Sequence, residues 1–140
     1  MMLIDATDLI VGRLATFAAK KALLGEKIDI VNCEKAIMSG SKEMLMAKWA
    51  RKRKLGTWSK GPFHIRLSDR MVRRIVRGML PYKTPRGREA FERVMCYRGM
   101  PEPFKSQTAI TIPEANRKKL PTHKFMNIGQ ITKLIGGQRG

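Results

Sequence analysis

Two short apolar runs flank one amphipathic stretch in the first part of the chain, and few folds accommodate that order. Met2 to Ile4 is apolar, Thr7 or Asp8 can cap a helix, and Ile10, Leu14, Phe17 and Ala18 recur at helical spacing until Gly25 stops them. Ile28, Ile30 and Val31 form the second run, which continues through Ala36 to Met38. Strand, helix and strand in this order predict a right-handed crossover between two parallel strands. A parallel sheet needs cover on both faces, so helices must supply most of the remaining core.

The rest of the chain supplies them. Ser39 or Ser41 can cap a helix from Lys42 to Leu55, with Leu45 and Trp49 one turn apart and the run Arg51, Lys52, Arg53, Lys54 in its last turn, where cations suit the helix dipole. "GTWSKGPFH" reads as a loop punctuated by Gly56, Gly61 and Pro62. Ser68 is placed to cap a helix over Asp69 to Leu80, ended by Pro81. A short helix around Glu89 to Arg93 leads into a strand at Val94 to Tyr97, and Ala109 to Ile112 is a further strand. Asn127 can cap a last helix with Ile128, Ile131, Leu134 and Ile135 on one side, and the terminal "GGQRG" is expected to fray. With 140 residues and no internal repeat, the expectation is one domain over 1–140, a three-layer α/β/α body.

Several classes of function find no support. No apolar run approaches the roughly 18 residues of a membrane span, and Lys20 and Lys21 break the longest, Ala15 to Leu24. The amino terminus carries acid where a secretory signal has its basic region, so a cytoplasmic protein is expected. Cys33, Cys96, His64 and His123 show no metal-ligand spacing, and the two cysteines read as reduced thiols in or near the core. "MSGSKEML" invites comparison with a phosphate-binding loop, yet aligned on Gly40 it has Lys35 where glycine belongs and Ser41 where lysine belongs. No nucleophile, base and acid group together; Asp69 reads as a helix N-terminal acid and Glu89 as the partner of Arg93 four residues on. No cofactor, no metal and no enzymatic activity are expected.

Charge points to a partner. The chain carries 29 basic against 11 acidic residues, and residues 51–98 alone hold 15 and 3 of them. A merely solubilising charge would be spread evenly; this focus predicts a polyanion contacted through residues 51–98. Arg70, Arg73, Arg74 and Arg77 fall within roughly 100° of arc on the predicted helix, opposite Met71, Val72, Ile75, Val76 and Met79. Like charges three and four apart repel, so a face with no glutamate among its arginines calls for an external anion. Between residues 66 and 98 arginine outnumbers lysine nine to one, which favours forked bonding to phosphate. Trp58, Phe63 and His64 sit among Arg51 to Lys54 and Lys60, a loop able to follow a backbone and stack on unpaired bases. Helix-turn-helix, finger and basic-zipper patterns are lacking, and Pro81 and Pro85 turn the region into a helix plus an irregular arm, which suits folded RNA better than duplex DNA.

One stretch is specific enough to be matched. "VRGMLPYKTPRGREAFERVMCYRG", Val76 to Gly99, resembles the signature of the large-subunit ribosomal protein family thirteen: a basic residue before Gly-Met-Leu-Pro, a spacer, Gly87, then an aliphatic strand ending in Tyr-x-Gly at Gly99. "IDATDLIVGRLAT", Ile4 to Thr16, and "IVNCEKAIMSGSK", Ile30 to Lys42, resemble the same family's earlier segments. "YRGMPEP", Tyr97 to Pro103, is similar to its archaeal and eukaryotic branch, and the short carboxy terminus favours the archaeal form. Cys96 departs from the family, which usually has an aliphatic residue there.

The resemblance implies a non-catalytic constituent of the large ribosomal subunit that binds its ribosomal RNA, joins early in assembly, and folds as α/β/α around a mostly parallel four-stranded sheet. Its partners would be that RNA and neighbouring large-subunit proteins, with no membrane and no homo-oligomer. The rRNA-binding residues expected on this chain are Arg51, Lys52, Arg53, Lys54, Trp58, Lys60, Arg70, Arg73, Arg74 and Arg77, with Lys83, Arg86 and Arg88 in the arm after Pro81 entering a junction between RNA segments. Gly78 and Gly87 are expected to serve close backbone approach or a conformation other residues resist. The rival readings are an RNA-modifying enzyme, which would need a cofactor loop or convergent acid groups, and a DNA-coating protein.

Overall fold

The structure is a computed structural model, described here for residues 1–137. Strand β1, Met2–Asp5, runs parallel to β2, Ile28–Val31, and helix α1, Val11–Leu23, makes the crossover between them. β2 pairs in parallel with β4, Val94–Cys96, giving a three-stranded sheet with β2 at its centre. All four β2 residues are buried, so both faces of the sheet are covered. Ala15, Ala18, Ala19 and Ala22 line the buried face of α1, and such small side chains let the helix lie close to its neighbours. The chain then forms β3, Ile37–Ser39, α2, Lys42–Lys54, α3, Ser68–Gly78, and α4, Pro85–Glu92, and ends with β5, Phe125–Asn127, and α5, Ile128–Leu134. α1 is packed by α3 and α4, which brings the charged middle of the chain onto the body laid down by the first crossover.

Several sequence expectations need correction. The run at Ala36 to Met38 does not continue β2: a turn at Cys33–Lys35 separates them, and β3 pairs antiparallel with β5 in a second, two-stranded sheet. Ala109 to Ile112 is not a strand. Only Ile110 bridges to Ile4, its N–H donating to the Leu3 carbonyl at 2.8 Å, because Pro113 and a turn follow at once. Neither Thr7 nor Asp8 caps α1, whose N-cap position is Ile10. Thr7 instead donates through its N–H and hydroxyl to the Asp5 carboxylate at 3.0 and 2.7 Å, and Asn32 donates to the same oxygen at 3.0 Å. Burial raises the Asp5 carboxyl, but these donors outweigh it and hold the group below its ordinary pKa. Ser68 is the first residue of α3 rather than its cap, and Leu67 takes that position. Leu134 is exposed, unlike Ile128, Ile131 and Ile135. Gly136 and Gly137 do not fray, since Gly137 N–H donates to the Thr132 carbonyl at 2.7 Å; the rest of that expectation lies outside the described residues.

Other local readings hold with their physical reasons visible. Ser41 Oγ accepts from Met44 N–H at 3.3 Å and starts α2. Gly25, at φ +96°, closes α1: its N–H reaches the Ala22 carbonyl while Glu26 N–H reaches that of Lys21. Gly99, at φ +61°, is gripped between Asn32 N–H, which donates to its carbonyl at 2.9 Å, and the Glu34 carboxylate, which accepts its N–H at 3.1 Å. The parallel register also brings the two cysteines together across 63 positions of chain. A hydrogen bond to Cys96, with burial, pushes the Cys33 thiol well above its ordinary pKa, so it stays protonated.

Candidate nucleic-acid interface

α3 has the two-faced build its sequence dictates. Met71, Val72 and Val76 are buried in the core, and Arg70 and Arg74 project into solvent. All four expected arginines line one open groove of about 350 Å³ with Ile65 and Phe91. Asp69, in the first turn, is the only acid on the helix, and among the described residues none of Arg70, Arg73, Arg74 and Arg77 is ion-paired.

The four are not equivalent. Arg73 lies with its guanidinium 4.3 Å from the centre of the Phe91 ring, and its Nε donates to the Val94 carbonyl at 2.9 Å. Arg77 stacks 5.0 Å from the centre of Tyr82. These two are held half-buried against the protein, while Arg70 and Arg74 make no such contact and stay exposed. Phe91 and Tyr82 are parts of the site that the sequence did not reveal. Each meets its arginine only through the turn between α3 and α4, and no spacing rule on a single helix reaches across that turn.

That turn corrects the irregular arm. Pro81 does end the helical run, but Thr84 starts a new one: its Oγ1 accepts from Gly87 N–H at 3.3 Å and donates to the Pro81 carbonyl at 2.8 Å, with Pro85 at the first helical position. Arg86 and Arg88 therefore sit exposed on α4, and only Lys83 is in the turn. Gly87 is buried with its Cα against the Pro81 carbonyl, where a Cβ would overlap backbone atoms. Gly78 has open space around its Cα and ordinary φ, so the protein's own packing does not require glycine there.

Beside the arginine groove, across a cleft that Arg74 also lines, stands the carboxy-terminal part of α2. Arg51, Arg53, Lys54 and Lys60 are exposed, and Lys52 lies 4.6 Å from the centre of the Trp49 ring. Burial, helped by the like charges of Lys48 and Arg74, pulls the Lys52 ammonium below its ordinary pKa. The loop after α2 is folded tightly, Gly61 N–H donating to the Thr57 carbonyl at 2.7 Å. It holds Trp58 93 % exposed and Phe63 72 % exposed, so neither anchors the loop to the core. Both line an open cleft of about 480 Å³ with Arg53, His64 and Arg66. Arg93, also in the basic region, is spent internally, on Glu89 at 3.6 Å and on the Ala22 carbonyl at 3.3 Å.

Of the thirteen expected RNA contacts, the structure thus gathers Arg70, Arg73, Arg74 and Arg77 in one groove. It sets Lys52 beside Arg74 in an adjoining cleft and Arg53 beside Trp58 in a third, and leaves the others exposed around them. Cationic forks with stacked aromatic rings form a surface suited to phosphates and unpaired bases. Comparison with known proteins gives the same direction. A family model described as Ribosomal protein L13 matches residues 1–103. A large ribosomal subunit protein uL13 of Methanosarcina barkeri is 40% identical over 139 residues, covering 99% of each chain. The protein of that name from Methanococcoides burtonii is 39% identical over 138 residues, again 99% of each, and that from Methanopyrus kandleri is 40% identical over 137 residues, 96% of this chain and 86% of the relative.

Proposed function

The chain belongs to the ribosomal protein L13 family, and we propose that it is a structural, non-catalytic constituent of the large ribosomal subunit of archaeal type, binding folded large-subunit ribosomal RNA in the cytoplasm. It works there as a single domain and not as a homo-oligomer, its partners being that RNA and neighbouring subunit proteins, and it joins early in assembly. The observation that carries this is the groove of four arginines with no ion-pair partner among the described residues. Such a concentration of positive charge is self-repulsive until phosphates neutralise it. The finer architecture we assign, three layers with helices on both faces of the sheet, rests on the burial of β2 on both faces; beside β1 the sheet carries the single bridge of Ile110 in place of a fourth strand.

The sharpest test uses the arginines that do nothing for the fold. Arg73 holds the Val94 carbonyl, so its replacement confuses binding with folding. Arg70→Glu with Arg74→Glu reverses two exposed charges and leaves the core untouched. Filter binding to transcribed large-subunit ribosomal RNA is expected to fall at least a hundredfold with an unchanged melting temperature. Neutralising about eight phosphates gives wild type a log–log salt slope near minus six. Normal binding by the double variant, or a slope shallower than about minus two, would refute the assignment.

A further inference from the structure

A cleft of about 220 Å³ separates α2 from α3 beside the arginine groove, lined by Trp49, Lys52, His64, Met71, Arg74 and Ile75. Two of its lining residues, Trp49 and His64, each have a buried ring nitrogen, Nε1 and Nε2, with no hydrogen-bond partner among the described residues. An unpaired buried polar atom is costly, and two on lining residues of one cleft need a reason. The same wall carries two cations close enough for the Arg74 charge to act on Lys52, with no acid among the lining residues. The other unpartnered buried atoms, Ser68 Oγ and Asp69 Oδ1, belong to the first turn of α3 and do not line the cleft.

We propose that this cleft is a clamp for one phosphodiester of the RNA backbone, seated between α2 and α3 on the Trp49 indole N–H, Lys52, His64 and Arg74. The chemistry accounts for each observation together. A phosphate oxygen accepts from the indole N–H, and from His64 when the ring proton sits on Nε2. The anion relieves the repulsion between Lys52 and Arg74, and its partial desolvation in the cleft strengthens every one of these bonds. A nucleobase fits less well, because the cleft walls carry two cations and no carboxylate. Trp49 is thereby assigned a role that its sequence neighbourhood did not suggest, and His64 a phosphate contact in place of base stacking. The clamp rests on the RNA-binding function proposed above and narrows it to one contact.

Trp49→Phe tests it, since phenylalanine keeps an aromatic ring under Lys52 and deletes the donor together with part of the indole. In filter binding to transcribed large-subunit ribosomal RNA, the variant is expected to lose about tenfold in affinity. Its salt slope should equal that of wild type, because no charge is removed, and its melting temperature should fall by no more than the smaller ring's lost packing accounts for, because an unsatisfied donor is gone. Should the variant misfold, Lys52→Gln in the same assay is expected to lose affinity with a slope shallower by about 0.7. Wild-type affinity in the variant, with wild type itself binding tightly, overturns the clamp and spares RNA binding as the function. If wild type does not bind this RNA above background, both fall. Inorganic phosphate titrated into protein labelled at the indole nitrogen separates the sources. A shift of the Trp49 indole proton by phosphate alone, with no loss of RNA affinity in Trp49→Phe, would give the cleft to a free anion and overturn the assignment.

Discussion

Two glycines in the stretch from Val76 to Gly99 are expected to respond to alanine in opposite directions. At Gly87, inside α4, a Cβ would overlap the Pro81 carbonyl carbon and oxygen and press on Tyr82 N. These are backbone atoms, so no side chain can swing aside. The turn must open, and with it goes the hydrogen bond from Gly87 N–H to Thr84 that starts the helix. Forced overpacking costs about 1–3 kcal/mol and the lost cap about 1 kcal/mol, against a helix-propensity gain of about 0.5–1 kcal/mol. The net for Gly87→Ala is a loss of about 1–3.5 kcal/mol, which for a chain of this size lowers the melting temperature by roughly 3–11 °C. At Gly78 nothing lies within 4 Å of the added carbon and φ is ordinary, so only the propensity gain of about 0.5–1 kcal/mol remains. Gly78→Ala should therefore melt about 2–3 °C higher than wild type. Thermal unfolding followed by circular dichroism decides the pair. Equal melting temperatures for Gly87→Ala and wild type would show that the α3–α4 turn yields freely, and the rigidity argued for Arg73 and Arg77 would fall with it. A loss of RNA affinity in a stabilised Gly78→Ala protein would place RNA against that open Cα.

Trp58→Ala removes a ring that is almost wholly exposed, so stability should stay within about 0.5 kcal/mol of wild type. Affinity for the ribosomal RNA should drop by about 1–3 kcal/mol if a base stacks there; a binding isotherm that coincides with wild type would remove Trp58 from the interface. Asp29, buried at the centre of the sheet, has its carboxyl raised by burial, although Lys27 and the Tyr97 hydroxyl counter this. An acid raised in the folded state allows full stability below its unfolded pKa of about 3.9, and stability is lost as pH rises through the folded value. Asp29→Asn keeps an acceptor for Tyr97, so it should melt above wild type at pH 7, with the gap closing near pH 3. A gap that is constant with pH would mean the carboxyl titrates as it does in the unfolded chain.

What could be read from the chain was whatever depends on one element. The β1–α1–β2 crossover, the Ser41 cap, the Gly25 stop and the arginine face of α3 all follow from local spacing, and all are present. The failures occur where a second element competes for the same residue. Thr7 could have capped α1, but Asp5 lies two residues back and Asn32 completes its site from the turn after β2. Ser68 could have capped α3, yet it is carried inside the helix and buried. The two prolines suggested irregular chain between Pro81 and Glu89, whereas Pro85 at a first helical position starts α4 as readily as an interior proline would end it. Phe91 and Tyr82 were invisible as partners of arginine because their contacts are made by the tertiary turn.

That distinction between local and tertiary information also explains how the interface can be specific. A run of arginines attracts any polyanion, and net charge alone would give RNA binding without register. Here the body fixes part of the charge. Arg73 is pinned between the Phe91 ring and the Val94 carbonyl and Arg77 leans on Tyr82, so these guanidiniums lose little freedom when a phosphate arrives. Arg70 and Arg74 remain exposed on the same groove and can adjust to the phosphate spacing they meet. Arg73 depends on α4 and β4 and Arg77 on the turn before α4, and the first crossover positions that region through the packing of α1 on α3 and α4. The apolar pattern of the opening residues therefore sets where the later arginines stand. On the proposed reading, an RNA surface that matches the fixed pair gains the exposed pair as well, while one that misses the fixed pair meets only the nonspecific charge.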